Sequence, residues 1–391
     1  MLGLHDASMA QIKNFRGFNN VSDPLRLGMD WLVQADNVNI TDRGALVKRD
    51  GYALEKAGAY SAAYGTEDFK KLFLVDGLFI KSFDGTVVAS LTSPVETKFA
   101  EINGIVYFSN GADFGIIKQD NSVLEWQWSI PQSPSVSLVT GTIASGIYSV
   151  CCTYVLDDGR ETGASDPVSI LVSDGQAISI SSIPHIAGAS TRVYIVPANS
   201  GLFQLAATTA QSAIVWNASN DDLGEELKTD GFDPIPDGVS SIAFFKGRAY
   251  AAQYMPEVDQ TAIWFSQPLG FHLFALSSDF FMVQGEVTML APTESALIVG
   301  STNSVYSYNA EGLSKIADYG VVPGQNWSKD DNRILFWTTR GVCSALPFTN
   351  LTEKSVSVAP GIKAGGTIVR QGGQKRYLAV LQQGGSAFNS H

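Results

Sequence analysis

Residues that bind metals or form disulfides are scarce in this sequence, with three cysteines and four histidines in 391 residues. Cys151 and Cys152 are adjacent and Cys343 stands far from both. Adjacent cysteines rarely bridge each other, and no CxxC or Cys/His spacing offers a zinc site. All three lie in apolar stretches, so they are expected as small buried hydrophobes, which suits a reducing site of synthesis. His5, His185, His272 and His391 form no HxH, HExxH or HxxxH pattern, so no histidine-metal centre is expected.

Positive charge is also short: 26 basic against 38 acidic residues leave a net charge of −12. That argues against affinity for nucleic acid built on phosphate neutralisation. It allows a surface that DNA slides past, because a negative wall repels phosphate. No window approaches a membrane-spanning length of apolar residues, and Met1 to Phe15 lacks the apolar run of a signal peptide, so no membrane anchor is expected. No Gly-x-Ser-x-Gly elbow, Walker loop or dinucleotide fingerprint occurs. Gly361-Ile-Lys-Ala-Gly-Gly366 lacks the strand-then-helix setting of a phosphate loop. The expectation is a protein that is not an enzyme and carries no cofactor.

What the chain does have is strand material. Helical periodicity is nearly absent, and short runs of β-branched and aromatic residues alternate with Gly, Asp, Asn and Pro turns. Leu72-Phe-Leu-Val-Asp-Gly-Leu-Phe-Ile80 and Ile102-Asn-Gly-Ile-Val-Tyr-Phe108 read as hairpins around Asp-Gly and Asn-Gly centres, with Phe83-Asp-Gly-Thr86 as a further turn. Ile242 to Ala251, Ala296 to Tyr308, Ile334 to Cys343 and Gly373 to Leu381 repeat the pattern. The units recur every ~25 to 50 residues, close to the blade period of β-propellers.

A different segment interrupts them. After the proline pair in Ser129-Ile-Pro-Gln-Ser-Pro134 come about seven short strands between Gly146 and Trp216, among them a returning arm from Arg160 to Ser165. They suit a small immunoglobulin- or fibronectin-like β-sandwich. The Cys…Trp…Cys spacing of immunoglobulin domains is missing, so the fibronectin label fits better. The expected fold is all-β, a discontinuous β-propeller of residues 1–130 plus 235–391. A sandwich with an acidic linker is inserted at 131–234, and the two flanks wrap into one wheel.

The linker region carries seven acids: Asp221, Asp222, Glu225, Glu226, Asp230, Asp233 and Asp237. It reads as a solvated linker, as an acidic channel or interface surface, or as an ion site, although the alternating ligands of an EF-hand are absent. Asp157, Asp158 and Glu161 could suggest a glycosidase pair. Neighbours on a hairpin point to different sides, however, and the Asp-Gly turn reading is preferred. Trp126, Trp128, Trp216, Trp264, Trp327 and Trp337 fall in or beside strand runs and are expected in cores, with sugar stacking as the alternative.

Three stretches, taken in order, carry a resemblance. They are Asn14-Phe-Arg-Gly-Phe-Asn-Asn-Val-Ser-Asp-Pro24 with Ala35 to Tyr52, Thr153-Tyr-Val-Leu-Asp-Asp-Gly-Arg-Glu-Thr-Gly-Ala-Ser165 with Thr191-Arg-Val-Tyr-Ile195, and Phe245-Lys-Gly-Arg-Ala-Tyr-Ala251. Together they resemble the tail nozzle, or tail hub, proteins of short-tailed bacteriophages, over about three-quarters of the chain. The resemblance implies a virion structural protein made in the host bacterial cytoplasm. It would form a homo-oligomeric ring of six copies at the distal end of the DNA-ejection channel. Its partners would be portal- or adaptor-side tail proteins above and tip or fibre proteins below, with genomic DNA passing unbound. A receptor- or glycan-binding tail protein is the alternative reading, and a polysaccharide-cleaving propeller enzyme comes after it.

Overall fold

In a computed structural model the described residues are 14–198, 200–330, 333–371 and 374–384; His5, His391 and Gly373 lie outside them. The fold is all-β, made of propeller-blade sheets with an inserted sandwich. Among the described residues five sheets are antiparallel meanders in which consecutive strands are hydrogen-bonded neighbours, except that Phe280–Gln284 pairs with Gln260–Gln267 rather than with Gly270–Phe274. They span 62–90, 98–125, 239–284, 287–317 and 327–350.

Turn chemistry explains the hairpins. Ile102 opposes Ile105, and the intervening Asn103 and Gly104 have φ of 53° and 74°, as a type I′ turn demands. Lys246-Gly247 repeats this geometry between Phe245 and Arg248. The first hairpin departs from expectation. Asp76 opposes Phe79, so the two-residue loop is Gly77-Leu78 rather than Asp76-Gly77. Core register decides this: Phe73, Val75 and Ile80 must all face inward, which keeps Asp76 in the ladder, where its carboxylate meets Lys81 Nζ at 2.7 Å.

By density of contacts the chain forms two compact units, one of residues up to Ala59 with those from Gln284 onward, the other Tyr60–Val283. This division differs from the expected one at 130 and 235. In the second unit, Tyr107 and Trp126 of the 98–125 region share a core with Ile235, Val239, Phe244 and Phe274. That core joins the blades on either side of the insert. The two ends of the insert also meet, since Gln127 Nε2 donates to Ile235 O and to the Asp237 carboxylate, both at 2.8 Å.

The sandwich comprises a three-stranded sheet (Ser135–Thr140, Gln176–Ser181, Ile214–Trp216) and a four-stranded one (Val168–Val172, Gly146–Leu156, Ala189–Val196, Gln204–Thr209). Tyr148, Val150, Cys152, Ile178, Ile180, Val193, Ile195 and Trp216 fill the space between them. Ser135–Thr140 is a strand the turn signals did not mark. The expected arm Arg160 to Ser165 is not one, because hydroxyls replace half of its ladder. Thr162 Oγ1 and Ser165 Oγ accept from the N–H groups of Tyr154 and Cys152, each at 3.0 Å.

In the first unit, Met289, Ile298, Val305, Ile334, Phe336 and Cys343 form a core shared by the 287–317 and 327–350 sheets. The hairpin of Lys363–Gln371 with Gln374–Gln382 is tied to it by Lys375 Nζ on Asp330 at 2.6 Å. Among the described residues before Ala59 stand a parallel pair (Gly17–Phe18 with Trp31–Leu32), a short 3-10 helix (Pro24–Arg26) and a hairpin (Val38–Ile40 with Leu46–Lys48).

Candidate functional site

The Leu156-to-Ser165 hairpin, read from sequence as a family-like motif, lies where the sandwich meets the blades of the same unit. Its loop is Asp157-Asp158-Gly159, closed by Gly159 N–H donating to Leu156 O. Asp157 is exposed. Asp158 turns back on the hairpin, accepting from Arg160 N and pairing with Arg160 Nε at 2.8 Å. The guanidinium then reaches the blade next door, donating to Glu125 O at 2.7 Å.

Glu161 points the other way, along the outer face of the four-stranded sheet. Its carboxylate accepts from Thr153 Oγ1 at 2.6 Å and Tyr194 Oη at 2.8 Å, and pairs with Arg192 Nη1 at 3.2 Å. Arg192 Nη1 also meets Glu225 at 2.7 Å. Arg192 and Tyr194 share this face because they are two apart on one strand, and Thr153 is directly opposite Arg192. Burial, with the hydrogen bond to Glu161 adding to it, pushes the Tyr194 hydroxyl above its ordinary pKa, so it stays a donor.

From the 239–284 sheet, His272 Nε2 stands 3.0 Å from Glu161 O. A carbonyl only accepts, so the proton sits on Nε2. Burial pulls the His272 pKa down, which keeps the ring neutral. Gly163 completes the contact. A Cβ there would lie 1.7 Å from Phe232 O, so only glycine admits the returning chain.

Chemically, this is a clamp. Every carboxylate oxygen of Glu161 is occupied, and Asp158 is committed to Arg160, so the hairpin offers no pair of carboxyls facing a common bond. Sequence reading singled out Asp157, Asp158 and Glu161 but did not see Arg192, Tyr194, Thr153 or His272 as their partners. The available signal was Thr191-Arg-Val-Tyr-Ile195, in which Arg192 and Tyr194 alternate with the apolar Val193 and Ile195.

The seven acids divide by role. Asp222 caps the short 3-10 turn Asn220–Asp222, accepting from Ser219 N at 3.1 Å, and Asp221 lies exposed in the same turn. Glu225 meets Arg192, and the backbone of Gly224 to Leu227 pairs with Phe203 to Leu205 along an edge strand of the sandwich. Glu226 and Asp230 are exposed. Asp233 forms a two-way backbone bridge with Phe274, at 2.8 and 2.9 Å, and its burial raises its pKa. Asp237 holds Gln127. The run is therefore stitched down at several points while most of its carboxylates face solvent.

Elsewhere in this unit a shallow groove of about 410 Å³ runs beside Ala89, Phe108, Asp113, Phe114 and Glu125. Asp113 is already taken up by Thr92 N and Oγ1, Ser93 N and Asn110 Nδ2. Among the described residues no group of three His, Cys, Asp or Glu could hold a metal ion, and no helix is long and apolar enough to cross a membrane. All three cysteines are free and buried. Trp126, Trp216 and Trp337 are buried; Trp128, Trp264 and Trp327 are half-buried, so none of the six is a freely exposed ring.

No family model matches the chain, and no curated protein does. Among solved structures it is similar to the extracellular domain of a hybrid two-component system of B. thetaiotaomicron (10% identity, TM-score 0.31, covering 82% of this chain and 36% of that one). It is also similar to PorZ, a surface component of the type-IX secretion system of Porphyromonas gingivalis (11%, TM-score 0.24, 86% and 52%). A third is a protein of unknown function from Desulfotomaculum acetoxidans (11%, TM-score 0.33, 84% and 92%). The chain thus spans about a third and about half the length of the first two.

Proposed function

We propose that this chain is a structural component of a short-tailed phage tail, a nozzle or hub ring through which DNA leaves. The resemblance of its ordered motifs suggests the family. The observation that carries the reading is that the hairpin most like that family is a saturated clamp, with Glu161 held by Thr153, Tyr194 and Arg192. A module fixed this way to its blades suits a part that transmits load. In this reading six copies form a ring by a heterologous contact. Portal- or adaptor-side proteins bind above, and tip or fibre proteins below. The exposed acids Asp221, Asp222, Glu226 and Asp230 would give DNA a repelling surface to pass.

The test is to locate the polypeptide in purified virions by mass spectrometry and particle imaging. A ring on the tail axis is expected. Absence from the particle, or a position off the axis, would overturn the reading.

One observation favours an adhesive tail protein instead. Ile147 and Leu171 oppose each other on the outer face of the sandwich, 65% and 66% exposed. If that patch is adhesive, the full chain binds host cells and Ile147→Asp abolishes the binding.

A further inference from the structure

Two Asn-Gly steps occur in the sequence, Asn103-Gly104 and Asn110-Gly111, and the 98–125 sheet carries both. Asn103-Gly104 turns the chain from Lys98–Ile102 into Ile105–Ser109, and Asn110-Gly111 follows that second strand directly. Such a step has its own chemistry. Glycine has no Cβ to screen its amide nitrogen, so that nitrogen can approach the Cγ of the asparagine before it. Attack forms a bond from the glycine nitrogen to Cγ and breaks the Cγ–Nδ2 bond. The proton of the glycine nitrogen leaves with Nδ2 as ammonia, and a succinimide ring remains. Water then opens the ring. Cleavage of the Cγ–N bond gives aspartate, and cleavage at the main-chain carbonyl gives isoaspartate, whose chain runs on through Cβ and Cγ.

The fold treats the two steps oppositely. Asn110 is 4% exposed and every polar atom of its carboxamide is engaged. Its Oδ1 accepts from Ala112 N at 3.0 Å and Asp113 N at 2.7 Å, and its Nδ2 donates to Ser93 O at 3.0 Å and to the Asp113 carboxylate at 2.8 Å. The attacking nitrogen is engaged as well, since Gly111 N–H donates to Ser109 Oγ at 3.2 Å. Asn103 and Gly104 are both exposed. Among the described residues the Asn103 side chain makes no hydrogen bond, and its main-chain oxygen meets only Gln119 Nε2, at 3.5 Å. Gly104 N–H lies outside the ladder, which closes at the Ile102–Ile105 pair. Nucleophile and electrophile are therefore both open to water at one step and both tied at the other.

We propose that Asn103 is a site of spontaneous succinimide-mediated deamidation in the folded protein, and that Asn110 is spared. The modification is a slow, irreversible mark on one blade, independent of the tail reading. Its isoaspartate form has a structural consequence. The extra main-chain carbon enters a two-residue loop whose geometry depends on φ of 53° and 74° at its two residues. The tip must widen, which loosens Ile102 and Ile105 from the core they pack against, while Tyr107 and Ala100 lie deeper in it.

The experiment incubates the full native chain in warm, mildly alkaline buffer and maps peptides by mass spectrometry, with electron-transfer fragmentation to separate isoaspartate from aspartate. A second sample is held in urea. Native Asn103 is expected to convert to both acids. Native Asn110 is expected to convert at least about tenfold more slowly, because it must first give up its hydrogen bonds. In urea the two sites are expected to convert at similar rates. Hydrogen exchange on the aged protein should rise around Ile102 to Ile105, and fresh Asn103→Asp, which adds the charge without the extra carbon, should not reproduce the rise. An Asn103 that stays intact in the native chain while it converts in urea would overturn the proposal, since the turn itself would then protect it. Equal conversion of Asn103 and Asn110 in the native protein would overturn it too.

Discussion

Glu161 and Arg192 face each other across 3.2 Å at the base of the sandwich, and the same guanidinium nitrogen lies 2.7 Å from Glu225. The arginine thus joins three segments distant in sequence: the hairpin, the central strand pair and the acidic run. Its charge is shared between two carboxylates, and only Glu161 has further donors in Thr153 and Tyr194. The interaction with Glu225 is more than half exposed on the carboxylate side and contributes correspondingly little.

Glu161→Gln keeps the shape and removes the charge. The sandwich is expected to lose about 2 kcal/mol, read as a lower urea midpoint, because a partly buried arginine and two hydroxyl donors lose an ionised acceptor. Glu225→Gln should cost less than about 1 kcal/mol. Equal effects at the two positions would contradict the clamp.

Gly163→Ala places a methyl group against Phe232 O. The backbone on one side must move, at a cost of about 1–3 kcal/mol. Hydrogen exchange should rise in the segment around Phe232 and Asp233, while the 287–317 sheet stays unchanged.

His272 gives the junction a pH dependence. Its folded pKa lies below the ordinary 6.5 because burial disfavours the imidazolium. The unfolded chain therefore binds a proton first as pH falls below about 6.5, and stability drops from there toward the folded pKa. Above that window the group contributes no slope. His272→Gln, which keeps a donor toward Glu161 O, should flatten the decline seen in melting temperature between pH 7 and pH 5 (about the range where histidine titrates).

Asp113 latches the 62–90 sheet to the 98–125 sheet, its carboxylate accepting from Thr92, Ser93 and Asn110. Burial opposes its charge, but those hydrogen bonds outweigh it and hold the pKa below the usual carboxylate value. The stability it supplies is present above the unfolded pKa and is lost as pH falls through the folded one. Asp113→Asn should cost about 1–3 kcal/mol near neutral pH and much less in acid.

The cysteines should be inert in the folded chain. Burial raises the Cys152 thiol to about 12 and lifts those of Cys151 and Cys343 as well. A thiol reagent at mild alkaline pH is expected to label none of the three until denaturant is added. Rapid labelling of the native protein would contradict their placement.

The alternation of apolar residues and the Gly-containing turns were enough to fix strand class and hairpins such as Ile102 to Phe108. These are local properties: a type I′ turn at Asn103-Gly104 needs only the φ preferences of its two residues. The buried cysteines were equally legible, because their neighbours in sequence are apolar. What the chain order hides is which polar groups meet. Arg192 finds Glu161 from 31 positions away, and His272 finds its carbonyl from 111 away. Strand pairing inside the sandwich brings the first pair within reach, and packing of the hairpin against the 239–284 sheet brings the second. The same holds for the acidic run, which composition presented as a solvated tether. Its backbone pairs with Phe203 to Leu205 and with Phe274, because unpaired strand edges and the glycine gap at Gly163 leave room for it there. Sequence supplied the strands; long-range burial chose their partners, since a hydrogen bond or ion pair forms only where the fold has already brought both ends together.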